Sequence, residues 1–189
     1  HSVMVLARDQ TLVDTINKHH QNPRYLPDVP LPETLIASAH LADVLEHAKT
    51  GLTVIATPLA HLASLCKEIV ALGKIPQQLL WLCKGVEPGS LALPHQVISR
   101  ELSLSHQTSG AHEALAHFGH AHRSIVAHIH DDLDKTSIAP ASHTYAIGTL
   151  SGPSFAEEVA RGLPCALVAA SQNPALQALT QRAFHHHNM

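Results

Sequence analysis

Short apolar runs recur along the chain, each followed by a longer helix-like stretch. This alternation limits the fold more than any single motif. Ser2–Ala7, Leu52–Thr57, Gln78–Cys83, Tyr145–Leu150 and a run around Cys165–Ala170 have the length and content of buried strands. Between them, Asp9 suits the start of a helix reaching about His20, and Leu41–Lys49 reads as a short helix. Pro58 fits the first turn of a helix reaching Leu72, and further helices are expected over Phe155–Arg161 and Pro174–Phe184. Gln21–Glu33 reads as a loop, because Pro23, Pro27, Pro30 and Pro32 exclude an interior helix or a central strand. The expected architecture is α/β: a doubly wound, mostly parallel sheet forming one domain over residues 1–189.

One segment breaks the rhythm. Residues 103–142 are polar, turn-rich and loaded with histidine (His106, His112, His117, His120, His122, His128 and His130). A structureless connection of this length is uncommon inside a compact domain, so it reads as an insertion between two strands, partly helical around His112–His120.

Composition narrows the partners. Apolar residues make up 45% of the chain and charged residues 14%, which argues against disorder. Lys and Arg number 12 against 15 acidic residues, for a formal charge of -3, so neither nucleic acid nor an anionic membrane is an expected partner. Aromatics at 3% leave little for a base-stacking surface. No run approaches the roughly 18 apolar residues of a membrane span. Cys66, Cys83 and Cys165 are scattered singly, which suits a reducing compartment, and the cytoplasm is the default. The chain opens inside a strand-like run, without an initiator Met or a basic signal-peptide region, so residues before His1 are expected to be missing.

Open α/β sheets bind ligands at the carboxyl ends of their strands, where loops converge and helix N-termini point inward. That rule selects Arg8, Thr57-Pro58, Lys84-Gly85 and Gly152-Pro153-Ser154. An arginine in Arg8's place can pair with a ribose 2′-phosphate or simply be solvated, and neighbouring Asp9 leaves the choice open. Lys84 is either a surface charge or a cation aimed at an anion, with Gly85 permitting close approach. Ser154 and Glu157 form a capping-box pattern, which is a structural role compatible with Gly152, Ser154 and the Ala156 amide meeting a ligand. The histidines raise a metal-site reading through His117-x-x-His120-x-His122 or His128-x-His130-Asp131, but none has a compact ligand spacing and no cysteine joins them. His185-His186-His187 suggests nickel affinity more than biology. No G-x-G-x-x-G stretch occurs in the chain.

Three segments in order carry a resemblance: Asn22-Pro23-Arg24-Tyr25-Leu26-Pro27-Asp28-Val29-Pro30-Leu31-Pro32, Trp81-Leu82-Cys83-Lys84-Gly85-Val86-Glu87, and Leu150 through Pro164 (LSGPSFAEEVARGLP). With Arg8-Asp9 and Ala56-Thr57-Pro58 they resemble the N-terminal domain of bacterial NAD(P)-dependent glycerol-3-phosphate dehydrogenases over nearly the whole chain except residues 103–142. The resemblance implies a Rossmann-like fold and reversible reduction of dihydroxyacetone phosphate to sn-glycerol 3-phosphate for glycerophospholipid synthesis. It also implies an NAD(P) cofactor, with NADP favoured by Arg8, and a full-length protein that can form a homodimer. By the same resemblance Arg8, Lys84 and Ala156 contact the cofactor, and Lys84, Gly152 and Ser154 line the substrate site. The family's glycine-rich turn is expected before His1 and its general-acid lysine, in a helical domain, beyond Met189. Residues 1–189 alone are therefore expected to show negligible turnover. The competing reading is a non-catalytic binding module of the same fold with a metal-binding histidine arm.

Overall fold

The computed structural model describes residues 2–108 and 145–185. The expected insertion lies mostly outside the described residues, as do its histidines apart from the backbone at His106.

Strand β1 (Val3–Leu6) leads into helix α1 (Gln10–His19). Asp9 starts α1: its carboxylate accepts from the Thr11 and Leu12 amides at 2.9 and 3.4 Å. His20 ends the helix in the left-handed region (φ 51°). The proline-rich stretch is not a plain loop. Strands β2 (Gln21–Asn22) and β3 (Leu26–Pro30) form a small antiparallel ribbon, set apart from the other sheets, where Pro27 and Pro30 interrupt no central ladder.

Strand β4 (Leu35–Ser38) was not expected from the sequence. Four residues are too few to show a period, and only pairing with β1 in parallel, Val3 to Leu35 through Leu6 to Ser38, defines it. The Asn17 side chain on α1 donates to the Ala37 carbonyl at 2.9 Å and accepts from the Ala37 amide at 2.7 Å. That amide satisfies both backbone groups of a buried residue on the side of β4 away from β1.

After helix α2 (Leu41–His47), the second sheet has the order β5 (Thr53–Ile55), β6 (Gln78–Trp81), β7 (Ala146–Ser151), β8 (Val168–Ser171). The first two pairings are parallel. The last is antiparallel, so the strand expected around Cys165–Ala170 forms at Val168–Ser171 and closes the sheet as an antiparallel edge. The returning chain passes close to Gly152, where a Cβ would sit 2.2 Å from the Ala166 carbonyl oxygen, a space that only glycine leaves open. The expected single sheet is instead three small ones, mixed in direction.

A single turn of 3-10 helix (Leu59–His61) follows Pro58 and runs into α3 (Leu62–Ala71). Helix α4 (Pro94–Thr108) also escaped the sequence reading, and it takes in the first residues of the supposed insertion. Its buried positions Val97, Ile98, Glu101 and Leu102 follow helical spacing, but Gln96, Ser99 and Arg100 dilute the apolar signal. Leu62, Cys66 and Ile69 of α3 interlock with Val97, Ile98 and Leu102 of α4 over Ile55 and Leu79 of the sheet. Each such buried aliphatic side chain contributes roughly 1.5–3 kcal/mol. A separate, smaller core joins Val13 and Ile16 to Ala37. Helices α5 (Ala156–Ala160) and α6 (Pro174–Phe184) complete the described chain. Among the described residues, no helix is long and apolar enough to cross a membrane.

Candidate functional site

Parallel pairing sets the carboxyl ends of β5, β6 and β7 side by side. Beyond Trp81 the chain stays tied to its neighbours, because the Leu82 amide donates to the Ile55 carbonyl at 2.9 Å and the Thr149 hydroxyl to the Trp81 carbonyl at 3.2 Å. This fixed platform carries Cys83 and Lys84. Burial pushes the Cys83 thiol up from its ordinary value, opposed in part by backbone hydrogen bonds. Thr57 Oγ1 is itself buried and has no hydrogen-bond partner among the described residues.

Lys84 is exposed, and its ammonium donates to the Gly152 carbonyl at 3.2 Å, across 68 residues of sequence. The two junctions selected from sequence, after β6 and after β7, are thus in direct contact. Among the described residues Lys84 forms no ion pair. A carbonyl oxygen neutralises little of a full positive charge, so the ammonium is available to an anion. Gly85 turns the chain with φ +97°, a conformation that costs other residues strain, and its open side faces Leu59 after β5. Thr57, Lys84, Gly85 and Gly152 therefore form one cluster.

Ser154 and Ala156 lie nearby in sequence, and both are exposed. The expected capping box is absent. Phe155, not Ser154, is the N-cap of α5, and no side chain caps it. The helix has five residues, too few for a strong dipole at its N-terminus. Gly152 has a packing reason of its own, the close backbone of Ala166.

Arg8 follows β1, in the two-stranded sheet rather than the four-stranded one that carries the cluster. Its guanidinium pairs with Glu68 of α3 at 3.2 Å while remaining 74% exposed. Asp9 is committed to capping α1 and lies 3.6 Å from Arg24, whose guanidinium sits 5.3 Å from the Tyr25 ring centre. An acidic group that could have read a ribose hydroxyl is thus occupied by the backbone.

Sequence reasoning gave no role to Glu87 and Arg100. The structure joins them by two hydrogen bonds, at 2.9 and 3.0 Å, and Arg100 also donates to Glu101 at 2.9 Å. Glu101 is 5% exposed, and among the described residues Arg100 and Lys67 offset its charge. The signal was present as adjacent Arg and Glu at a helix position flanked by Ile98 and Leu102. A cavity of about 540 Å³ between β8 and α6, lined by Leu150, Leu167, Arg182 and Phe184 among others, includes none of the selected residues. No cluster of metal-ligating side chains occurs among the described residues.

Residues 1–115 and 125–177 match the family described as NAD-dependent glycerol-3-phosphate dehydrogenase N-terminus. Glycerol-3-phosphate dehydrogenase (NAD(P)+) of Ralstonia nicotianae is 40% identical, over 100% of this chain and 46% of its own length. The protein of the same name from Cupriavidus necator is 36% identical, over 99% of this chain and 46% of its own. The chain spans about half the length of the curated relatives it matches. A crystal structure of glycerol-3-phosphate dehydrogenase from Coxiella burnetii superposes with a TM-score of 0.70 at 24% identity, covering 99% of this chain and 44% of that one. One from Plasmodium falciparum gives 0.71 at 21%, covering 99% and 42%. These likenesses show a shared Rossmann-like α/β fold. In sequence and in fold, the chain belongs to the NAD-dependent glycerol-3-phosphate dehydrogenase N-terminus family.

Proposed function

We propose that this chain is the cofactor-binding part of a glycerol-3-phosphate dehydrogenase, which reversibly reduces dihydroxyacetone phosphate to sn-glycerol 3-phosphate with NAD(P)H. The observation that carries the reading is Lys84, an ammonium without an ionic partner among the described residues, held against Gly152 where three parallel strands end. Hydride transfer to a ketone builds negative charge on the carbonyl oxygen, and the substrate brings a phosphate besides. A fixed cation answers both needs. The nicotinamide cofactor supplies the hydride when bound, and the protein supplies binding, orientation and electrostatics.

On this reading Lys84 contacts both cofactor and substrate, Gly152 and Ser154 border the substrate, and Ala156 touches the cofactor. Arg8 meets the adenosine end. Commitment of Asp9 to the helix cap favours NADP over NAD, since the carboxylate next to Arg8 in sequence already serves the α1 amides. The product feeds glycerophospholipid synthesis, and the free thiols at Cys66, Cys83 and Cys165 suit the cytoplasm. The test is an assay of the complete protein for NADPH oxidation dependent on dihydroxyacetone phosphate. Activity in wild type that falls by about 100-fold or more in Lys84→Met is the expected result. Wild-type turnover unaffected by that substitution would refute the role of Lys84.

A further inference from the structure

Lys84 works only if the chain that follows it is held still, and the loop from Gly85 to Leu93 has little packing to hold it. Val86, Leu91 and Leu93 are exposed, at 45%, 72% and 46%. Gly85 is flexible by nature, and a single residue, Val86, separates it from Glu87. What fixes the loop is polar. The Glu87 carboxylate receives two hydrogen bonds from Arg100 and one from the Ser90 hydroxyl. The Glu87 backbone closes the same loop, its amide donating to the Ala92 carbonyl at 2.8 Å and its carbonyl accepting from the Leu91 amide at 3.0 Å.

Arg100 is a firm anchor for a physical reason. It stands on α4 between Val97, Ile98 and Leu102, which are fully buried, and it must also offset nearly buried Glu101. A guanidinium fork that serves two carboxylates has little freedom left. The chain is therefore pinned at both sides of Lys84, by the β-ladder at Leu82 and by the ion pair at Glu87.

We propose that Glu87 and Arg100 are positioning residues, which hold the loop so that Lys84 presents its ammonium to the anionic ligand. The proposal rests on the anion-binding reading of Lys84 given above. Neither residue touches the ligand. Their effect passes through the two-residue link of Gly85 and Val86.

A double-mutant cycle on the complete protein tests this, with the dissociation constant for sn-glycerol 3-phosphate measured by calorimetry. Glu87→Gln is expected to weaken binding about tenfold in the wild-type background and to have almost no effect in Lys84→Met, because a misplaced cation matters only when the cation is present. Arg100→Lys keeps the charge but loses the fork, and is expected to give a smaller loss that also vanishes in Lys84→Met. Melting temperatures, which a merely structural role would lower equally in both backgrounds, are recorded in parallel. Equal losses from Glu87→Gln with and without Lys84 would overturn the positioning role while leaving the reading of Lys84 intact. Equal affinity of wild type and Lys84→Met would overturn both.

Discussion

The two cations, Lys84 and Arg8, follow strands of different sheets and are supported differently. Around Lys84, three parallel strand ends stand over a deep core, and among the described residues the ammonium's one hydrogen bond is to a carbonyl. Around Arg8, a two-stranded sheet has the small core on α1 and reaches the large one through Leu6, and the guanidinium already has Glu68 as a partner. An exposed pair of that kind is worth about 0–1 kcal/mol, so it yields to a better anion at slight cost. On the proposed reading, a cation at the reacting centre needs rigid placement, whereas one that grips the far end of the cofactor can exchange partners.

The sharpest way to break this contrast is to empty each core. Leu102→Ala is expected to cost roughly 2–5 kcal/mol in chemical denaturation, because α3 and α4 cannot both close over the gap. Ile16→Ala should fall at the lower end of that range, about 2 kcal/mol, since a core of few residues collapses more easily. Equal losses at the two positions would show that the small core is no softer than the large one.

Next in size comes the pair of cations. Lys84→Met should lower kcat/KM of the complete enzyme by about 100-fold or more with either cofactor. Arg8→Met should weaken NADPH by roughly tenfold and leave NADH nearly unchanged, as expected for one lost charged hydrogen bond to a 2′-phosphate. A loss common to both cofactors would place Arg8 elsewhere than at the 2′-phosphate. Gly152→Ala follows, at roughly 1–3 kcal/mol of stability, since the new methyl group must displace the Ala166 carbonyl. Unchanged melting in that variant would mean that the β7–β8 connection yields to the added methyl group.

The smallest expected effects are those of pH. Arg100 holds the Glu87 carboxyl at about 2, chiefly by hydrogen-bonding its charged form. A lowered folded value means that the stabilisation is complete above the ordinary 4.5 and disappears as pH falls toward 2. Arg100→Met should flatten that acid limb in a stability titration. Burial drives the Cys66 thiol from 9.0 up to about 12, so its contribution is intact below pH 9 and erodes above it. Iodoacetamide at pH 8 should accordingly label Cys165 well before Cys66.

Much of this was legible in the chain. Helix α6 matches its expected bounds from Pro174 to Phe184, because Asn173 caps it and Pro174 sits where proline is favoured. The contact of Lys84 with Gly152 followed from the rule that parallel strands end together. Strand β4 and helix α4 were hidden for opposite reasons, the one too short to show a period and the other too polar along its length. Ser154 and Glu157 misled because a local pattern was read without the backbone that has to present it. Residues that act through geometry alone, Glu87 and Arg100, carry a charge pattern indistinguishable from a solvated surface until the fold brings positions 13 apart together.

Asn17 has one more consequence. A free strand margin is an invitation, because unpaired peptide groups will accept any extended polypeptide that drifts alongside. By imitating a neighbouring peptide unit at Ala37, this side-chain amide fills the very place such an intruder would claim. Runaway growth of the sheet in that direction is blocked by one residue borrowed from a helix.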